Sequence, residues 1–527
     1  MIAASNKFDV VVIGSGPAGQ NAALEAAQRD ARVLIIEQEP QVGGACVQYG
    51  TIPSKTLRET ALTLTAFQRR SGDVYRVTRD AELSICSLMK RLNEVVHAHQ
   101  ETTRKFLIQA NVERAYGRAK FLSPDEIEIS TVTGEQSIVS AHKIIIATGS
   151  RPRNPPNIAV DHENILDSDS ILSMTYLPRS IVILGGGVIA CEYASTFASL
   201  GVKVTLLDKA SMPLGFLDPE LVDFFVRQLT ANGGEFRGLS DIESVDWDGI
   251  SSVQAKLKSG EVVRADKAFV ALGRVANVDT LGIDKAGLQA SERGLLIVNE
   301  FCQTDVPHIY ATGDTIGPPA LASASMEQGR RAVCHALSGT MHTGIGSLPA
   351  GIYTIPEIAT VGLTEQQAIE KVGSPLVGRV SFDQIARAHI LASPSGLLKL
   401  IADERGEKLL GVQIAGDGAT ELVHLGQMAI IGQMSVDTFA NATFNFPTMA
   451  EAYRIAALEI IHARDWKSNP VNAVRRSQLV SHFLNQSESS GVFQGELHQP
   501  ANEIGVDGSS QSEELNTNQM HGVRHNI

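Results

Sequence analysis

A chain of 527 residues is too long for one hydrophobic core and predicts about three domains. A net charge of -13 argues against a nucleic-acid surface, and a composition 43% hydrophobic and 20% charged, with 46 glycines, suits a glycine-punctuated α/β enzyme. No run approaches the roughly 18 apolar residues of a membrane span, and MIAASNKFDVVVIG runs straight into a strand, so neither a membrane segment nor a signal peptide is expected.

From the N-terminus, Asp9 to Ile13 is a short apolar run of the buried parallel-strand type. Gly14, Gly16 and Gly19 then supply G-x-G-x-x-G, Asn21 to Arg29 reads as a helix, and Arg32 to Glu37 as a second strand ending in an acid. Such glycines let backbone N–H groups approach a pyrophosphate at the helix N-terminus, and Glu37 is placed for an adenosine ribose. The next stretch, Gly43-Gly44 to Lys55 (GGACVQYGTIPSK), carries Cys46, then Thr51, and passes through Pro53 into a helix bearing Lys55. Residues 56–115 read as mostly helical, with Leu83 to Val112 the longest candidate. His97 and His99 point to different faces of such a helix, so no metal site is expected. The five cysteines, Cys46, Cys86, Cys191, Cys302 and Cys334, show no C-x-x-C or zinc spacing, which favours a reduced cytoplasmic protein.

Lys143 to Gly149 (KIIIATG) reads as another buried strand, turning at Thr148 and Gly149, and Arg151 to Pro156 as a proline-rich linker. Ile181 to Asp208 repeats the opening pattern, with Gly185, Gly187 and Ala190 in the turn and Asp208 closing the second strand. Two fingerprints imply two dinucleotides and two βαβ domains. A carboxylate at Asp208 favours NAD and disfavours the 2′-phosphate of NADP; the adjacent Lys209 offsets that only in part. From about residue 347, Leu397 to Ile401 and Lys408 to Ile414 read as strands and Glu421 to Gln433 as an amphipathic helix. Glu421 and His424 share one of its faces, but a di-iron site needs a second copy of that pair and more glutamates, which the sequence lacks. Residues 467–527 are polar and aperiodic and read as a disordered tail, with Val480 to Leu484 the one candidate partner-binding stretch.

These motifs resemble those of the FAD-dependent pyridine nucleotide-disulfide oxidoreductases. The resemblance implies an FAD-binding domain at 1–150 and 276–346, an NAD(P)-binding domain at 151–275 and a C-terminal α+β dimerisation domain at 347–466. It implies that Lys55 pairs with Glu192 beside the flavin, the dull alternative being a surface ion pair. It further implies that Gly273 and Arg274 lie in a loop returning to FAD, that Gly313 and Asp314 hold the ribityl chain, and that the helix from about Leu321 aims its N-terminus at the flavin. Two groups depart from the family pattern. Thr51 replaces the second thiol of C-x-x-x-x-C, and Phe446 replaces the histidine that protonates the leaving thiolate.

Losing both removes the disulfide half-reaction. GTIPSK, SDSILSM, CEYAS, FLD, GIYTIPEI and FNFPTMAEAYRIAAL resemble the soluble, FAD-containing NAD(P)+ transhydrogenases, which share both losses. That implies a cytoplasmic homodimer or larger homo-oligomer in which FAD carries hydride, by a ping-pong cycle, between NAD(H) and NADP(H). Cys46 is expected to pack at the flavin rather than to cycle through a sulfenate or mixed disulfide. A diaphorase or quinone reductase and a non-catalytic flavoprotein subunit remain the alternatives.

Overall fold

A computed structural model describes residues 6–71, 85–339 and 346–468. Lys7–Ile13 runs parallel between Val33–Glu37 and Gln136–Ile146, with Ile309–Ala311 parallel beyond the latter and Glu113–Tyr116 at the opposite edge. The second fingerprint builds the same plan. Ser180–Leu184 lies between Lys203–Leu207 and Lys267–Val270, with Glu235–Arg237 and Ile165–Asp167 outermost, all parallel. Val10, Val11 and Val12 are fully buried, as expected of a strand covered on both faces. Gly19 brings the first helix onto its strand: a Cβ there would meet the Gly14 carbonyl oxygen at 1.9 Å.

Four local readings are corrected. The first helix is Pro17–Ala27, beginning inside the fingerprint with proline in its first turn, so residues read as turn already carry helical backbone. The strand read from Lys143 begins at Gln136. Its first half pairs antiparallel with Glu126–Ser130 and alternates exposed with buried, so it lacks a continuous apolar run. The stretch read as mostly helical breaks into Thr51–Ser71, Ile85–Gln109 and the edge strand Glu113–Tyr116, which only its pairing with Val33–Glu37 specifies. The first two residues of the expected linker are paired: Ser150–Pro152 runs antiparallel to Arg274–Ala276, so the chain leaves and re-enters this region along one two-stranded ribbon.

From Ala350 a five-stranded antiparallel sheet follows, in the order Ala350–Ile352, Ile358–Gly362, Leu409–Ala415, Leu397–Ala402, Leu376–Ser381. Helices Ala419–Ile431 and Glu451–Ser468 pack against it, joined where the buried Tyr453 hydroxyl donates to the Leu422 carbonyl at 2.7 Å.

A charged joint ties this sheet to the second parallel sheet. Asp218 caps helix Pro219–Ala231 by accepting from the Glu220 N–H at 3.1 Å, and also accepts from the Glu365 N–H of helix Glu365–Val372 at 3.3 Å. Lys399, 1% exposed, donates to both Asp218 oxygens at 3.0 and 2.9 Å and to Glu220 at 2.7 Å, and lies 2.6 Å from Glu365.

Contacts gather the chain up to Lys467 into one unit. The first two residues of the expected disordered tail, Lys467 and Ser468, instead end helix Glu451–Ser468; the rest, with Val480 to Leu484, lies outside the described residues. Among the described residues no helix is long and apolar enough to cross a membrane, and no group of three His, Cys, Asp or Glu side chains is placed to hold a metal. His424 instead shares a hydrogen bond with Gln427, 2.9 Å away.

Candidate active site

A continuous cleft of about 1560 Å³ is lined by both glycine turns, by Cys46, Thr51 and Lys55, and by Tyr353 and Thr420. Helices Pro17–Ala27 and Val188–Ser199 both begin on it, and neither has a side-chain cap at Gly16 or Gly187. Their first N–H groups are therefore available to an anion, with the positive end of the helix dipole behind them. A Cβ built at Gly187 meets nothing within 4 Å, and one at Gly16 only the Gly44 Cα at 4.0 Å, so both helix starts have open space in front. On the cleft wall, the buried Thr312 hydroxyl has no partner among the described residues. Two uncapped helix starts on one roomy cleft fit two dinucleotide pyrophosphates.

Each turn is closed by its acid. Glu37 accepts from the Ser15 N–H at 2.9 Å, the Ser15 hydroxyl at 2.6 Å and the Glu39 N–H at 2.9 Å. Asp208 accepts from the N–H groups of Gly186 and, at 2.6 Å, of Ala210. Lys209 lines the cleft beside it. Three residues expected at the cofactors are absent from the cleft wall: Gly19, Gly43 and Ala190. Gly19 and the fully buried Ala190 act through helix–strand packing. Gly43 holds a φ of +125°, where a Cβ would also strike Val47 at 2.6 Å.

The remaining candidates converge. Lys55 Nζ lies 2.6 Å from Glu192 Oε2, across 137 residues of sequence, and the other carboxylate oxygen accepts from the Tyr353 N–H at 2.9 Å. Side-chain exposure of 24% for Lys55 and 9% for Glu192 makes this a partly shielded pair. Arg274 donates to the Ser150 hydroxyl and carbonyl, both at 2.7 Å, and to the Ser168 hydroxyl at 3.0 Å; Ser150 in turn donates to Asp314 at 2.5 Å. Gly313 is held from its N–H by Gln328 at 2.8 Å. Thr148 and Asn277 exchange hydrogen bonds of 2.7 and 3.0 Å, stapling the departing chain to the returning one. Gly149 and Gly273 line the same wall.

Burial pushes the Cys46 thiol above its ordinary pKa, against a hydrogen bond from Thr51 and the charge of Lys55. A thiol held protonated is a weak nucleophile. Each of the four described cysteines is free. Tyr353, which touches both Lys55 and Glu192, escaped the sequence reading. GIYTIPEI was a recognisable segment, but nothing local says that its tyrosine meets residues 161 and 298 positions away.

The pyridine nucleotide-disulphide oxidoreductase pattern matches residues 8–329, and the dimerisation domain of the same family matches 348–457. This chain belongs to the pyridine nucleotide-disulphide oxidoreductase family. Among the relatives of this oxidoreductase, the soluble pyridine nucleotide transhydrogenase of Marinobacter nauticus is 41% identical over 462 residues, covering 86% of this chain and 98% of that one. That of Mycobacterium tuberculosis is 41% identical over 477 residues, covering 89% and 100%. Among solved structures, LpdA from Mycobacterium tuberculosis superimposes with a TM-score of 0.79 at 26% identity, over 86% of this chain and 99% of that one. RclA from Escherichia coli, a flavoprotein disulfide reductase, gives 0.77 at 26% over the same shares. Cys46 is followed five residues later by Thr51, and Phe446 stands 69% exposed.

Proposed function

We propose that this oxidoreductase is a soluble pyridine nucleotide transhydrogenase, passing hydride between NADPH and NAD+ in a ping-pong cycle through one tightly bound FAD per subunit. The observation that carries the reading is Thr51 beside Cys46, in a cleft whose Lys55–Glu192 pair is intact. A hydroxyl has no thiol–disulfide couple, so electrons cannot leave through the chain's own sulfurs. The transhydrogenase relatives support the same reading.

In this assignment residues 1–150 and 276–346 hold FAD through Gly14, Gly16, Glu37, Thr148 and Asp314. Residues 151–275 hold NAD(H) and NADP(H) in turn through Gly185, Gly187, Asp208 and Lys209. Bound FAD would supply the ring atom that takes up a hydride and returns it. The chain holds pyrophosphates at two helix starts, orients riboses by two acids and keeps a positive charge at Lys55 Nζ for the extra electron pair of the reduced state. Residues 347–466 are assigned to homodimerisation. Leu425, Met428 and Ile431 stand exposed on helix Ala419–Ile431, together with Met434 and Phe446, and suit a second copy. We assign the protein to the cytoplasm, in keeping with its soluble relatives.

Anaerobic rapid mixing tests the reading. The flavin is reduced with NADPH, the excess removed, and NAD+ added. Return of flavin absorbance at a turnover-competent rate is expected; recovery with a quinone alone would make the protein a quinone reductase instead.

Thr51→Cys by itself is expected to give poor disulfide reductase activity, because Phe446 supplies no proton to the leaving thiolate. Steady-state disulfide turnover at a rate matching transhydrogenation would show that the missing base was misjudged. NADP(H) is expected to bind more weakly than NAD(H), since the Asp208 carboxylate would repel a 2′-phosphate. Asp208→Asn should tighten NADP(H) roughly 5- to 10-fold by removing a like charge. Titration of both nucleotides by flavin or tryptophan fluorescence checks it; unchanged affinity would exclude Asp208 from the ribose site.

A further inference from the structure

We infer that Tyr353 is a positioning residue for hydride transfer, its ring face and backbone N–H together fixing the Lys55–Glu192 pair. This rests on the flavin-dependent reading above. The Lys55 ammonium lies 5.0 Å from the Tyr353 ring centroid, within reach of a cation–π contact, while the N–H of the same residue donates to Glu192 at 2.9 Å. One residue thus touches both members of the pair from the cleft wall.

A closed circuit holds it there. Thr420 stands beside the Tyr353 ring on the same cleft wall. The Thr420 hydroxyl and N–H both donate to Glu357 Oε2, at 2.7 and 3.0 Å. Glu357 Oε1 accepts from Arg58 at 3.2 Å, and Arg58 donates also to the Thr354 carbonyl at 3.0 Å. Arg58 is 2% exposed and stands three residues after Lys55 on one helix, so the circuit returns to its start. The ammonium therefore has a carboxylate on one side and an aromatic face on another, with neither free to drift.

The test compares Tyr353→Phe, which keeps the ring and the N–H, with Tyr353→Leu, which keeps only the N–H. Two quantities are read on the holoenzyme: single-turnover flavin reduction by NADPH, and the rate at which an acetylating reagent labels Lys55, mapped by peptide mass spectrometry. For the leucine variant we expect reduction about tenfold slower, KM changed less than about twofold, and Lys55 labelled several times faster. The phenylalanine variant should stay within about twofold of the parent on each. Should leucine prevent folding, Tyr353→Met carries the same comparison without an aromatic face. A leucine or methionine variant matching the parent in both quantities overturns the proposal, as does a phenylalanine variant falling as far as leucine. Both readouts precede hydride return, so a parent that fails to reduce NAD+ would overturn the transhydrogenase reading while these rates still judge Tyr353.

Discussion

Lys55→Met is expected to slow flavin reduction by NADPH about 100-fold while leaving FAD content near that of the parent. The lysine supplies the one ammonium paired with Glu192, at 2.6 Å and partly shielded from water, so methionine keeps the volume and deletes the charge. A charge fixed in a shielded cleft stabilises negative charge that develops beside it, and needs no reorganisation when it does so. FAD retention follows because its pyrophosphate would be held at the uncapped helix start near Gly16, by backbone alone. Glu192→Gln should fall less, about tenfold, since its one amide oxygen can still accept from Lys55, at the cost of the bond from the Tyr353 N–H, and the lysine charge stays in place. Stopped-flow reduction under anaerobic conditions measures both. A Lys55→Met protein that reduces its flavin within about threefold of the parent rate would remove the pair from the reaction.

The second large effect falls on stability. Lys399→Met should cost about 3 kcal/mol, because it leaves Asp218, fully buried, without its ion-pair partner, while Arg379 still pairs with Glu220 and Glu365. Combining it with Asp218→Asn should recover part of the loss, as the asparagine oxygen still caps helix Pro219–Ala231. The pH dependence has a defined sign. Burial pulls the Lys399 ammonium down, but hydrogen bonds to Glu220, Glu365 and Asp218 outweigh it and its pKa is raised. Burial pushes the Glu220 carboxyl up, but hydrogen bonds from Arg379 and Lys399 outweigh it and its pKa is lowered.

The lysine's contribution is therefore complete below about pH 10 and lost as pH rises through its folded value. The glutamate's is complete above about pH 4.3 and lost as pH falls through its folded value. Differential scanning calorimetry should show a parent–variant gap that is flat near neutral pH and narrows in acid, where protonated carboxyls no longer need Lys399. A gap that widens below about pH 4 would contradict the assignment.

The duplicated glycine fingerprints, their flanking strands and their closing acids were legible residue by residue. Close backbone approach and an anion-facing helix start each demand small residues at short, regular spacings, as Gly14, Gly19 and Gly185 show. The replacements at Thr51 and Phe446 were legible for the same reason, since a side chain without a thiol or a basic nitrogen declares its chemistry wherever it sits. What escaped was whatever depends on distant segments meeting. The edge strand Glu113–Tyr116 and the arm from Gln136 exist only because a neighbouring strand offers hydrogen bonds. That a Cβ at Gly43 would strike Val47 needed a neighbour's coordinates to see. Asp218 capping two helices at once, and Tyr353 resting on Lys55 while holding Glu192, are set by how three sheets dock. A backbone turn is decided by its own few residues, whereas a buried charge needs partners that only the folded chain can deliver.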